Sequence, residues 1–127
     1  MRVLADTHVL LWALADSPLL TVRARDVLAD PDNECWASSA SVWEIAIKTV
    51  LGKYRLGFHL ARLETAIESA GFQPLDVTIR HASAVERVAL PHADPFDRLL
   101  LAQCETETLR LLSADRLLSD LPVVLPC

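Results

Sequence analysis

Short apolar runs alternate along this chain with longer segments in which apolar residues recur at helical spacing. Five runs have the length of buried strands and lie at residues 3–5, 35–38, 72–75, 109–112 and 123–125. The helical spacing predicts helices at residues 9–15, 21–29, 41–50, 60–70, 78–90 and 94–106. Short apolar strands that alternate with helices are typical of a parallel sheet covered on both faces. The pattern therefore predicts an α/β fold of three layers, with a short parallel sheet of four to five strands.

Glycine and proline mark several of the expected helix ends. Gly52 follows the third helix, and Pro91 follows the fifth. Asp94-Pro95 opens the sixth helix, because aspartate caps a helix start and proline fits the first turn. No internal repeat, low-complexity tract or flexible linker interrupts the sequence. We therefore expect residues 1–127 to form a single domain.

The composition is that of a folded globular protein. Hydrophobic residues make up 52% of the chain and charged residues 23%, which argues against disorder. The longest segments without Asp, Glu, Lys or Arg have nine residues, whereas a membrane-spanning helix needs roughly 20 apolar residues. The first residues also lack the sections of a signal peptide. We expect no membrane segment.

Cysteine and histidine give no sign of a zinc site. The chain has three cysteines, which are far apart and form no C-x-x-C pair: Cys35, Cys104 and Cys127. This usage fits reduced thiols in a cytoplasmic protein and argues against a disulfide framework. The histidines also lack the spacing of zinc ligands, and we expect structural or surface roles for all four: His8, His59, His81 and His92.

One carboxylate interrupts an apolar segment near the start of the chain. Asp6 lies in VLADTHVLLW (residues 3–12), between the first expected strand and the first expected helix. An isolated ionised carboxylate is costly to bury, so the fold must supply hydrogen-bond donors, a cation or a metal ion.

Three further acids are expected at the same edge of the sheet as Asp6, because ligands of an open parallel sheet bind outside the carboxyl ends of its strands. Asp115 follows the fourth strand, whereas Glu44 and Asp97 are expected in the first turns of the third and sixth helices. Four acids at one edge repel one another unless a cation lies between them. Mg²⁺ and Mn²⁺ prefer such oxygen ligands. The sequence therefore predicts a divalent metal site.

Glu44, Asp97 and Asp115 each also have a structural interpretation. Residues 41–44, Ser-Val-Trp-Glu, have the capping-box sequence, so Glu44 can simply close a helix start. Asp94 and Asp97 match an N-cap and an acid favoured by the helix dipole. Asp115 can cap a short turn. The functional interpretation therefore depends on the convergence of the four acids and not on any single spacing.

The net charge of −5 comes from 12 basic and 17 acidic residues. Such a balance ordinarily argues against a nucleic-acid partner, unless a divalent ion neutralises several acids. Two basic residues lie close in sequence to the acids. Lys48 follows Glu44 by four residues and is expected to form an i,i+4 ion pair with it. Arg98 adjoins Asp97 and is expected either to reach a substrate phosphate or to form a surface ion pair.

Four segments carry a resemblance to a known family: LADTHVLLW (4–12), SSASVWEIAIKTVLGK (38–53), LPHADPFDRLLLAQ (90–103) and LLSAD (111–115). In these segments the chain resembles the PIN-domain family, and within it the VapC-type toxins of bacterial toxin–antitoxin pairs. The resemblance covers nearly the whole chain and implies a PIN-like fold. It matches four positions to the family's acidic quartet, which are Asp6, Glu44, Asp97 and Asp115. Asp94 is a fifth acid that either helps to position a metal ion or caps its helix, and Ser113 stands where the family commonly has threonine.

The resemblance also implies an activity and partners. It implies a hydrolase, a Mg²⁺- or Mn²⁺-dependent endoribonuclease that cleaves RNA with a metal-activated water and acts as a toxin. Glu44 is a candidate for orienting that water. The resemblance further implies a homodimer and a hydrophobic groove that receives the C-terminal segment of a cognate antitoxin protein.

Two other functions compete with the ribonuclease. One is an α/β phosphatase or phosphotransferase with an aspartate nucleophile, but the D-x-D pattern of one such class would need an acid where His8 stands. The other is a non-catalytic PIN scaffold that only binds a partner protein, against which the intact acidic quartet argues. The GxxxxGK[ST] phosphate-binding loop is absent from the sequence.

Overall fold

Strands and helices alternate as the apolar pattern predicts in residues 1–89 and 94–127, the part of the chain that this computed structural model describes. The strands are β1 (Arg2–Ala5), β2 (Glu34–Ser38), β3 (Gln73–Leu75), β4 (Arg110–Ser113) and β5 (Val124–Pro126). The helices are α1 (Thr7–Leu14), α2 (Val22–Ala29), α3 (Ser39–Val50), α4 (Leu63–Ser69), α5 (Ile79–Ala84) and α6 (Pro95–Glu107). Short 3₁₀ turns cover Leu60–Arg62, Val85–Arg87 and Arg116–Leu118.

All the paired strands are parallel, in the order β3-β2-β1-β4-β5. The central strand β1 pairs with β2 on one side, where Leu4 faces Trp36, and with β4 on the other, where Ala5 faces Leu112. The chain first adds β2 and β3 on one side of β1, and then crosses back to place β4 on the other side. The order therefore reverses between β1 and β4, and the carboxyl ends of these two strands form the crevice in which open α/β sheets bind ligands.

Two hydrophobic cores lie on opposite faces of the sheet. In β1, Val3 and Ala5 belong to one core and Leu4 to the other, as expected where successive side chains point to opposite faces. Buried residues of α1 to α4 complete the first core, and buried residues of α5 and α6 complete most of the second. The predicted three-layer α/β architecture is confirmed. None of the helices in the described residues is long and apolar enough to cross a membrane.

The start of α3 differs from the prediction. The helix begins at Ser39, directly after β2, because the Ser38 side chain accepts a hydrogen bond from the backbone N–H of Ala40 and caps it. The capping box proposed for residues 41–44 is therefore wrong, and Glu44 lies in the second turn rather than the first. Three serines lie close together here, at positions 38, 39 and 41, so the sequence pattern alone selects the wrong one as the cap.

The fifth helix is shorter than predicted. It ends at Ala84, and a 3₁₀ turn follows before Val88 adopts an extended conformation and is buried in the second core. The predicted end of this helix at Leu90 and Pro91 lies outside the described residues.

Histidine side chains have structural or surface positions, as expected, in the described part of the chain. His81 is buried, its Nδ1 accepts from the N–H of Thr78, and its Nε2 lies 2.8 Å from Glu107 Oε1. His8 and His59 are exposed, and His92 lies outside the described residues. All three cysteines are free thiols.

A buried hydrogen bond ties the start of α3 to α6. Ser38 Oγ donates to Gln103 Oε1 at 2.6 Å, and both side chains are fully buried. Ser38→Ala is expected to lower the free energy of unfolding by about 1–3 kcal/mol, because it removes the helix cap and leaves a buried amide oxygen without its donor.

Chemical denaturation of Ser38→Ala, Gln103→Leu, the double variant and a control measures this effect. Ser38→Ala in a Gln103→Leu background should cost less than in the wild type, because no buried acceptor is then left without a donor. Ser119→Ala, at an exposed position, serves as a control and should change stability by less than about 0.5 kcal/mol. Additive losses for Ser38 and Gln103 would show that the bond contributes nothing.

Candidate active site at the carboxyl edge of the sheet

Asp6 lies directly after β1, at the crevice between β1 and β4. It caps α1, since its Oδ1 accepts from the N–H of Val9 at 3.0 Å, and its Oδ2 accepts a hydrogen bond from the Ser113 hydroxyl. The residue is only 5% exposed. Burial raises the pKa of Asp6 above its ordinary value, although the hydrogen bonds from Ser113 and Val9 act in the opposite direction. The fold therefore supplies donors to this carboxylate but does not fully offset its loss of water.

Ser113 also fixes the chain around Asp115. Its Oγ accepts from the N–H of Asp115 at 3.1 Å, while it donates to Asp6. Asp115 is half-buried and caps the Arg116–Leu118 turn, with Oδ1 accepting from the N–H of Leu117 at 2.9 Å. The structural interpretation of Asp115 as a cap is confirmed. The same hydroxyl places Asp115 beside Asp6 at the crevice.

Glu44 is a second buried carboxylate, 5% exposed, and both of its oxygens have partners. Thr7 Oγ1 donates to Oε1 at 2.8 Å, and the Lys48 ammonium lies 2.6 Å from Oε2. The predicted i,i+4 pair is confirmed. The hydrogen bond to Glu44 raises the pKa of Lys48 above its ordinary value. Because Thr7 follows Asp6 directly, the two buried acids are held at neighbouring positions of the same edge.

The first turn of α6 brings Asp97 to this edge. Asp94 is the N-cap, and its Oδ1 accepts from the N–H groups of Phe96 and Asp97 at 2.9 and 3.3 Å. The Phe96 ring packs edge-on against Trp43, with 5.6 Å between the ring centres. This contact holds the start of α6 against α3, next to Glu44. Of the two roles expected for Asp94, the structure shows the helix cap.

Arg98 has a different partner from those expected. Its guanidinium donates to the backbone carbonyl of Val88 at 3.2 Å, and the residue is half-buried. The contact ties α6 to the segment that follows α5. Arg98 therefore acts in the structure as a tether of the helix that carries Asp97.

The donors at this edge fit a hard divalent cation by their chemistry. They are carboxylate and hydroxyl oxygens, and Asp6 forms no ion pair among the residues that the structure describes. As the side chains stand, however, no three His, Cys, Asp or Glu residues within 1–89 and 94–127 are grouped closely enough to hold a metal ion. Hydroxyl groups join Asp6, Glu44 and Asp115 into one neighbourhood, and Glu44 is engaged by Lys48. Metal binding would therefore require a rearrangement of these side chains.

Apart from Ser113, the sequence did not point to the neutral groups that connect the acids. Thr7 links the α1 start to Glu44, and Ser41 Oγ lies 3.0 Å from Thr7 Oγ1. On the outer side, the Tyr54 hydroxyl lies 3.4 Å from Lys48 Nζ and 3.5 Å from His8 Nε2. The one available signal was Thr7 itself, a hydroxyl that directly follows a buried acid at a helix start.

Comparisons with known proteins identify a family and a fold. The family model described as PIN domain matches residues 3–124. The structure is similar to a chain in the crystal structure of VapBC2 from Rickettsia felis bound to a DNA fragment from their promoter, with a TM-score of 0.67, 13% identity, and coverage of 100% of this chain and 98% of that chain. It is also similar to a chain of a toxin–antitoxin complex from Klebsiella pneumoniae, with a TM-score of 0.60, 18% identity and coverage of 97% and 95%. No curated protein matches the sequence.

Asp6→Asn is expected to raise the free energy of unfolding at neutral pH in the absence of divalent ions. Because the pKa of Asp6 is raised, the folded state keeps the proton to higher pH than the unfolded chain, whose aspartate pKa is about 3.9. Wild-type stability should therefore fall as the pH rises through this window. Asparagine has no charge to bury and still caps the helix.

Thermal melts in EDTA at about pH 4 and about pH 7 measure the difference, which should be larger at the higher pH. Asp115→Asn makes the same chemical change at a more exposed cap and should alter stability less. An Asp6→Asn variant that is less stable than the wild type at neutral pH would contradict the prediction.

Proposed function

Because this chain belongs to the PIN domain family, whose members are typically nucleases, we propose that it is a Mg²⁺- or Mn²⁺-dependent endoribonuclease, the toxin of a toxin–antitoxin pair. The observation that carries the proposal is the hydroxyl-linked set of acids at the carboxyl ends of β1 and β4. Two of these acids, Asp6 and Glu44, are buried, where a carboxylate is costly unless a cation or hydrogen-bond donors compensate its charge. We propose a cytoplasmic protein of one PIN-like domain.

Asp6, Asp97 and Asp115 are the residues that we assign to hold the metal ion, and Glu44 is assigned as a further ligand when its second oxygen is free. When bound, a divalent ion would lower the pKa of a coordinated water and neutralise charge on the phosphate. Ser113 and the N–H of Val9 orient the Asp6 carboxylate, so this one ligand has little side-chain freedom to lose on binding, and the rearrangement falls to the other acids.

Glu44 is assigned the role of the base. Thr7 holds its Oε1, which leaves Oε2 to accept a proton from the attacking water once Lys48 has withdrawn. The leaving ribose oxygen would be protonated from solvent.

A groove beside the acids is our proposed site for an antitoxin segment. Its volume is about 290 Å³, and its lining includes His8, Leu11, Trp12, Tyr54, Leu56 and Phe58. Tyr54 joins the groove to Lys48 and so to Glu44. The two similar solved structures are described as toxin–antitoxin assemblies, which supports a protein partner of this kind. A basic residue of the antitoxin that reached the acids would inhibit the enzyme electrostatically.

We also propose that the protein forms a homodimer. The outer face of α3 carries apolar side chains that are largely exposed, Trp43 at 61% and Val50 at 82%, with Leu51 at 62% directly after the helix. Exposed apolar residues grouped on one helix are typical of a contact surface between proteins. Trp43 faces neither the core nor the groove, since it is exposed and packs on Phe96.

Purified protein supplied with Mn²⁺ should cleave RNA within the chain, and EDTA should abolish the cleavage. Asp6→Asn and Asp97→Asn should each lower the rate on the order of 100-fold or more, because an amide is a poor metal ligand and the ion contributes several kcal/mol to the barrier. Asp32→Asn is the control, since Asp32 precedes β2 at the opposite edge of the sheet.

The measurement is gel analysis of single-stranded and structured RNA, with circular dichroism of each variant. Folded protein with Mn²⁺ that leaves all RNA intact but hydrolyses a phosphate monoester would favour the phosphatase alternative. Protein that binds the antitoxin but performs neither reaction would favour the non-catalytic scaffold.

Expression of the protein alone should arrest growth of a bacterial host, and Asp6→Asn or co-expression of the antitoxin should relieve the arrest. Trp12→Glu places a charge in the groove and should weaken antitoxin binding at least tenfold, since a buried unpaired charge is costly. Val22→Glu introduces the same charge at a 77% exposed position of α2 and should leave binding unchanged. Calorimetry of the folded variants distinguishes them, and equal affinities would exclude this groove.

A further inference from the structure

Lys48 forms an ion pair with Glu44 in the described structure. Its ammonium lies 2.6 Å from Oε2, while Thr7 donates to Oε1, so each carboxylate oxygen already has a short polar contact. Glu44 is 5% exposed, and among the described residues Lys48 is the cation in contact with it. The lysine therefore supplies the positive charge that a buried carboxylate needs.

The same contact blocks the role that we have proposed for Glu44. An oxygen that accepts a short hydrogen bond from an ammonium is a poor base and a poor metal ligand, because its lone pair and its charge are already engaged. A divalent ion placed next to Glu44 would also be repelled by Lys48. Metal binding and the lysine contact are therefore in competition for one carboxylate.

The structure offers Lys48 a second partner within reach. Nζ lies 3.4 Å from the Tyr54 hydroxyl and 5.3 Å from the centre of the Tyr54 ring, a distance at which a cation is attracted to the ring face. The lysine stem is flexible, and its side chain is 29% exposed. A small movement away from Glu44 therefore keeps the ammonium hydrogen-bonded and partly hydrated.

We propose that Lys48 is a positioning residue that acts as the counter-cation of Glu44 in the metal-free protein. When a divalent ion binds, the lysine ammonium moves away from Glu44 and onto Tyr54. The inference rests on the proposed metal-dependent function. It explains how two buried acids and a metal site can share one edge without leaving Glu44 uncompensated when no ion is bound.

The proposal predicts opposite effects on stability and on metal affinity. Without metal, Lys48→Met should lower the melting temperature, because Glu44 loses its counter-cation. With the competitor removed, the same variant should bind Mn²⁺ more tightly, on the order of tenfold, the effect of deleting one nearby positive charge. A residue with only a structural role would weaken metal binding when removed, so the sign of the change separates the two roles.

Calorimetric titration of the full chain with Mn²⁺, and thermal melts in EDTA and in Mn²⁺, test the proposal. Lys48→Met should show the lower melting temperature in EDTA and the larger increase on addition of Mn²⁺. Lys48→Arg keeps the charge and should bind Mn²⁺ with nearly wild-type affinity. Lys53→Met removes the charge of the other lysine, which is exposed, and should change Mn²⁺ affinity much less.

A variant pair then separates competition for Glu44 from a general charge effect. In a Glu44→Gln background, Lys48→Met should bring little further gain in Mn²⁺ affinity, because no carboxylate remains to compete for. The same gain in both backgrounds, or equal or weaker Mn²⁺ binding by Lys48→Met than by the wild type, would overturn the role of Lys48 alone. Absence of Mn²⁺ binding in every variant would overturn the proposed metal-dependent function and this inference with it.

Discussion

A carboxylate that is buried at the end of the central strand constrains much of this structure. Asp6 cannot keep its hydration where β1 ends, so its oxygens need donors at fixed positions. One donor is local, the N–H of Val9 in the helix that Asp6 caps. The other comes from Ser113, more than a hundred residues later, and reaches Asp6 because β4 pairs with β1 so that Ala5 faces Leu112. The strand register is thus a requirement of the site as well as of the core.

Hydroxyl groups connect the acids here because they can both donate and accept. Ser113 donates to Asp6 and accepts from the backbone of Asp115, so one atom satisfies a buried charge and positions the next acid. Thr7 performs the first of these tasks for Glu44. A lysine or arginine in place of Ser113 would neutralise Asp6 and compete with a metal ion for it, as Lys48 does at Glu44. Neutral donors leave the Asp6 carboxylate without a compensating cation, which agrees with its raised pKa, since hydrogen bonds alone do not offset its burial.

The fold could be predicted from the sequence because each element has a local signal. The five apolar strand segments and the caps at Asp94 and Asp115 depend on nearest neighbours, and so does the ion pair between Glu44 and Lys48. The start of α3 was misplaced because several adjacent serines satisfy the same local rule. The strand order and the Ser113–Asp6 bond had no local signal, since they join residues that are far apart in the chain. The same is true of the contact of Tyr54 with His8, for which the sequence shows two polar rings but not their proximity.

The environment of Asp6 also bears on which chemistry this edge can perform. A nucleophilic aspartate must present an oxygen to the phosphorus atom, in line with the leaving group, and must become covalently attached to it. Asp6 is 5% exposed, and its two oxygens are directed to Val9 and Ser113. The position two residues later, where one class of such enzymes has its second acid, is occupied by the exposed His8. A fixed and buried carboxylate is better suited to hold a cation than to attack phosphorus, because holding needs only a lone pair at a set position. The local geometry of Asp6 therefore favours a water nucleophile over an aspartate nucleophile.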